Sequence, residues 1–111
     1  MSGTSIYGNF GYEHFHTPVR IATTTPVTMV GSDMIICVLL GTPGAVTLNL
    51  FPSPLEGREV TVKDGAGNAG TYNITIQTTD STTIDGSSTN VISSNYGHVK
   101  FVFNGTQWNV V

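Results

Sequence analysis

The chain has 111 residues, enough for one domain with one modest core. Charged residues make up 10% of it, against about 25% in an ordinary soluble domain, and Thr, Ser, Asn and Gly supply the polarity instead. A formal net charge of −3, with Lys and Arg numbering 4 in all and no basic cluster, argues against nucleic-acid binding. Uncharged polar side chains instead suit burial between subunits, at lower desolvation cost than charges.

In chain order, residues 1–16 come first and differ from the rest. Ile6, Tyr7, Phe10, Tyr12 and Phe15 alternate irregularly with Gly3, Gly8 and Gly11, placing large apolar side chains on a backbone of no strong preference. The segment reads as a docking arm anchored on another chain by Tyr7, Phe10, Tyr12 and Phe15. The alternative is an arm that closes the bottom of its own sheet. It lacks the basic leader and continuous apolar core of a secretory signal. Within it, Glu13-His14-Phe15-His16 invites a metal reading, since His14 and His16 on a strand point to one side and symmetry copies could surround an ion. Two ligands per chain fall short of a site, so surface or interface histidines are the simpler reading.

Residues 17–111 read as a β-domain. Helical periodicity is nearly absent, β-branched residues occur throughout, and Gly or Pro interrupts any stretch long enough for three helical turns. Strands are expected over 17–23, 26–30, 33–40, 45–50, 58–63, 71–78, 82–84, 89–93, 98–103 and 106–111. Their short, regular spacing predicts an antiparallel sandwich or a barrel-like domain. Met34 to Leu40 is apolar without alternation, which predicts a strand buried on both faces, one of them against a neighbouring subunit. That run is too short to cross a bilayer, so no membrane insertion is expected. Cys37, the single cysteine, excludes an intrachain disulfide and reads as a small buried hydrophobe.

Further along, Glu56 and Glu59 flank Arg58, which reads as their surface charge partner rather than as part of a glycosidase pair. Val60 and Val62, then Ile74 and Ile76, alternate with polar residues as half-buried strands do. Between them, Asp64 to Gly70 reads as a loop too rich in glycine to pack. Its Asp64 and Asn68 lack the further carboxylates of a calcium loop. Asp85-Gly86 marks a tight turn. Asn104-Gly105 predicts a type I′ two-residue hairpin turn. That turn would pair Phe103 with Thr106, Phe101 with Trp108 and Val99 with Val110 on a core face. No nucleophile and base can be assembled, so no enzyme activity and no cofactor are expected.

The order of several fragments resembles a β-rich domain of tailed-bacteriophage head-fibre, tail-fibre and tail-spike proteins. They are Val46-Thr-Leu-Asn-Leu-Phe-Pro-Ser-Pro54, Gly57-Arg-Glu-Val-Thr-Val-Lys-Asp-Gly-Ala-Gly67, Asn73-Ile-Thr-Ile76, Thr83-Ile-Asp-Gly86 and Tyr96-Gly97 through Trp108-Asn-Val110. The similarity spans about residues 20 to 111 and implies a virion location, a trimeric or otherwise symmetric assembly, and no cofactor. Phe51 in the leucine-proline passage and the shortness of the chain depart from the usual setting. They shift weight from a receptor-binding fibre toward a decoration or head-fibre subunit, assembled in the host cytoplasm. The second expectation is a tail-tip module that binds a host glycan or protein. It would use the loops bearing Asp64, Asn68, Tyr72, Asp85 and Tyr96, with the two tyrosines as the candidate aromatic platform.

Overall fold

The computed structural model describes residues 16–111. Tyr7, Phe10, Tyr12, Phe15 and His14 lie outside the described residues, so the docking-arm and metal readings are not resolved by it. The described chain is all β. Its strands are β1 Val19–Ala22, β2 Val27–Thr28, β3 Ile35–Val38, β4 Val46–Asn49, β5 Glu59–Asp64, β6 Ile74–Gln77, β7 Thr89–Ile92, β8 His98–Phe103 and β9 Trp108–Val110. The expected strand over 82–84 is reduced to isolated bridges from Ile84 to Ser87 and Trp108.

Two sheets form, of order β1-β3-β5-β8-β9 and β2-β4-β6-β7. Both are mixed, which corrects the antiparallel expectation. β1, β3 and β5 run parallel, as do β2, β4 and β6, while β7, β8 and β9 add antiparallel. From β1 to β6 the chain crosses from one sheet to the other after every strand. Successive strands therefore never pair, and each sheet receives its next strand in the same direction.

Period-2 alternation decides which residues face inward. Ile36 and Val38, Val60 and Val62, and Phe101 and Phe103 line the inner face of one sheet. Val46 and Leu48, Ile74 and Ile76, and Ile92 line that of the other, and all belong to one buried cluster with Trp108 at its end. β3 alternates too: Ile36 and Val38 are buried, Ile35 and Cys37 on the other face are half-buried, and Leu39 beyond them is 42% exposed. Among the described residues only the inner face of β3 is fully covered, and Cys37 is half-buried on the outer face rather than in the core.

The C-terminal hairpin forms in a different register from the one expected. Phe103 pairs with Trp108, Val102 with Asn109 and Phe101 with Val110. The cause is the Asn104 side chain, whose Oδ1 accepts the N–H groups of Thr106 and Gln107 at 2.9 Å, while Asn104 N donates to Gln107 O at 3.0 Å. This closes residues 104–107 as a four-residue loop. The shift is even, so the inward and outward faces are kept. Phe103, not Phe101, meets Trp108, with ring centroids 5.4 Å apart in an edge-to-face arrangement. Val99 is half-buried against the core, and Val110, expected inside, is 37% exposed at the sheet's end. The type I′ geometry appears instead at Asp85-Gly86, with φ of 47° and 83° between the bridge partners Ile84 and Ser87.

Candidate functional site

At the C-terminal end of β5 the chain enters the 64–70 loop, and Asp64 organises it. The carboxylate is buried. Its Oδ1 accepts the N–H groups of Ala66 at 3.2 Å and Gly67 at 3.1 Å, and its Oδ2 those of Ala69 at 2.9 Å and Tyr96 at 3.0 Å. Burial alone would raise the Asp64 pKa, but the donors from Ala69, Tyr96, Gly67 and Ala66 together outweigh it and hold the carboxyl below its ordinary value. Asp64 is therefore occupied by its own chain and does not present a carboxylate to a ligand. The loop is packed, contrary to expectation: Ala69 is 1% exposed, and Gly70 N donates to Asn95 Oδ1 at 2.8 Å.

What this packing presents to solvent is Tyr96. Its φ is 60°, in the left-handed region, and its side chain is 60% exposed. The ring lies directly over Gly67, where a Cβ would come within 2.5 Å of it. Gly67 itself has a φ of 78°, so glycine is required there for both space and backbone. Lys63 adds a cation, its Nζ 5.7 Å from the ring centroid and bonded to Tyr96 O. Tyr72, 41% exposed, follows the same loop, its N–H bonded to Asn68 O at 2.7 Å. The hollow beside Tyr72, lined by Val38, Pro43, Asn68 and Ile74 among others, offers about 10 Å³, the room of a single water.

Four of the five expected loop residues are thus gathered at this rim: Asp64, Asn68, Tyr72 and Tyr96. Asp85 is not among those four, and its carboxylate accepts Val110 N at 3.3 Å and Asn109 Nδ2 at 3.4 Å. Lys63 and Asn95 were not singled out in the sequence. Both are ordinary polar residues there, and only the folded chain brings their segments together, through the pairing of β5 with β8 and the bonds from Tyr96 N to Asp64 and from Gly70 N to Asn95.

Among the described residues, several other charged groups serve the fold in a similar way. Arg58 does not pair with Glu56 or Glu59. Its guanidinium donates to the carbonyl groups of Gly31 at 3.1 Å, Val30 at 3.4 Å, Asp33 and Glu59, while Glu59 pairs with Lys100 at 3.1 Å. Arg20 pairs with buried Asp33 at 3.0 Å, and Asp33 also accepts Val30 N at 2.8 Å. Asp80 accepts from Thr82 Oγ1 and from Ser53 N at 2.7 Å, and these bonds lower its pKa. Among the described residues, no three of His, Cys, Asp or Glu converge as a metal ion would require. No helix there is long and apolar enough to cross a membrane.

The outer face of the four-stranded sheet has a different character. Register places Thr28, Asn49, Gln77 and Thr89 in one row, and Thr47, Thr75 and Val91 in the next. Gln77 Nε2 donates to Asn49 Oδ1 at 2.8 Å, and Asn49 Nδ2 to Thr28 Oγ1 at 3.5 Å. None of these positions carries a charge. No protein-family model matches the chain, and a comparison with curated proteins found no similar one.

Proposed function

We propose that the chain is a non-enzymatic structural protein of a bacteriophage virion, a capsid decoration or head-fibre subunit acting as a homotrimer. The observation that carries this reading is the uncharged outer face of the four-stranded sheet. Its Thr, Asn and Gln side chains can be covered by a second copy at lower desolvation cost than charges, and the Gln77–Asn49 bond already satisfies part of the row. The virion location rests on the ordered fragments from Val46 to Val110 that resemble phage fibre domains. In this reading the sandwich of two sheets projects outward, and residues 1–16 dock on the capsid or tail. No cofactor is involved. Lys substituted at Thr47 and Thr75 should convert the oligomer to monomers without unfolding it, and an antibody to the chain should label intact particles of the phage that encodes it. An oligomer indifferent to both lysines, or unlabelled particles, would remove the proposal.

The rim at Tyr96 favours a second reading, a tail-tip module that binds a host glycan. An exposed ring backed by Gly67 and flanked by Lys63 offers an apolar platform beside hydrogen-bonding groups. With no deep pocket beneath it, a saccharide would stack on the surface. Tyr96→Ala should then reduce host adsorption while leaving oligomer mass unchanged.

A further inference from the structure

The outer face of the five-stranded sheet is divided. On β5 and β8 it bears Glu59, Thr61 and Lys63 beside His98 and Lys100. On β1 and β3 it bears Val19 and Ile21 beside Ile35 and Cys37, continued by Leu39. Val19 and Ile21 are 54% and 51% exposed. Apolar residues contiguous across two strands at an edge are a surface that water disfavours and that another segment would cover.

We propose that this half-face is covered by the chain's own N-terminal arm, residues 6–15, with Tyr7, Phe10, Tyr12 and Phe15 laid across Val19, Ile21, Ile35, Cys37 and Leu39. The argument rests on where the chain outside the described structure ends and on its length. The arm joins β1 through Thr17-Pro18, so it arrives at the edge strand of the apolar half and not of the charged half. Fifteen residues can extend about 50 Å, and a four-residue strand covers only about 13 Å. The arm can therefore double back over both strands with residues to spare. Tethering within a few residues of the face also gives the arm a high effective concentration, about millimolar, over any segment arriving from solution. The four aromatics match the aliphatic, uncharged character of what lies beneath. This inference holds for the free chain whatever its partner. Docking on a virion would then begin from a stowed arm that leaves this face.

Cys37 is the only cysteine and lies on the face in question, so thiol labelling reads the cover directly. In the full chain a maleimide should react with Cys37 at least tenfold more slowly than in a full-length variant with Tyr7, Phe10, Tyr12 and Phe15 changed to Ser. Buried Trp108 emission would confirm that the variant is folded. Val19→Ser with Ile21→Ser should also raise the rate, by weakening the surface the arm rests on. Protection should not change on dilution. Equal rates in the full chain and the arm variant would overturn the proposal. Protection that fades on dilution would also overturn it, because a second copy would then be the cover.

Discussion

The parallel part of the molecule, β1 to β6, and the antiparallel part, β7 to β9, reach their registers by different means. In the antiparallel part, local turns act. The Asn104 side chain closes the four-residue loop that aligns β8 with β9, and the Asp85-Gly86 turn closes the Ile84–Ser87 bridge within the connection from β6 to β7. In the parallel part no hairpin can do this, because every connection crosses to the other sheet. There the alignment is held by side chains at the crossings. Arg58 gathers the carbonyl groups around Val30 to Asp33, Asp33 holds Arg20 and Val30, Asp80 holds Ser53, and Asp64 holds its loop together with Tyr96. The sparse charges of this chain are thus largely spent on the main chain. Charge-assisted bonds to backbone groups, roughly twice as strong as neutral ones, replace the turns that parallel strands lack.

Substitutions at four positions sharpen the contrast, from the largest effect to the smallest. Trp108→Ala removes the fully buried ring that packs edge-to-face with Phe103 in the core. It should lower unfolding free energy by about 3–5 kcal/mol in a urea titration. Asp64→Ala leaves buried N–H groups of the loop without their acceptor and should cost about 3 kcal/mol. Asp64→Asn should cost less, since one carbonyl oxygen remains to accept. Gly67→Ala forces a side chain into positive φ and against Tyr96, for a cost of roughly 1–2 kcal/mol, with Tyr96 displaced in a fluorescence or NMR spectrum. Thr75→Lys, at a half-buried position on the outer sheet face, should leave the fold's stability within about 0.5 kcal/mol, as substitutions away from the core do, and act on assembly alone.

Acid should weaken the crossings before the turns. Asp64 and Asp80 both have folded pKa values below their ordinary one, so the unfolded chain binds more protons in the acid range and stability rises with pH there. The contribution is complete above the unfolded carboxyl value of about 3.9 and is lost as pH falls through the lowered folded values. Urea midpoints measured from pH 6 downward should drop below about pH 4. The Asp64→Asn variant should show a shallower drop over the same range.

Much of the strand content was legible in the sequence, because alternation such as Val60, Val62 or Ile74, Ile76 marks a half-buried strand wherever it occurs. Pairing direction was not, because a parallel and an antiparallel strand show the same alternation. The unequal connections between Val19, Ile35 and Thr61, which share one row, hide any repeat. The Asx-Gly dipeptides at 85–86 and 104–105 look equivalent as sequence. Asn104 diverges from Asp85 only because its side chain finds the N–H groups of Thr106 and Gln107, while Gln107 Oε1 is drawn to Thr83 Oγ1 and Gly86 N at 2.9 Å. The rim residues Asp64, Asn68, Tyr72 and Tyr96 stood out early, but the role of Asp64 did not. A carboxylate in a glycine-rich loop looks the same whether it awaits an ion or binds its own backbone, until the backbone geometry is known.

The central claim is that this is a symmetric structural subunit whose uncharged sheet face meets another copy. The most direct test is the solution mass of the full chain by light scattering, alone and with Thr47→Lys and Thr75→Lys together. The account predicts three copies of 11.8 kDa for the natural chain and a folded monomer for the variant. A natural chain that stays monomeric at every concentration would contradict it.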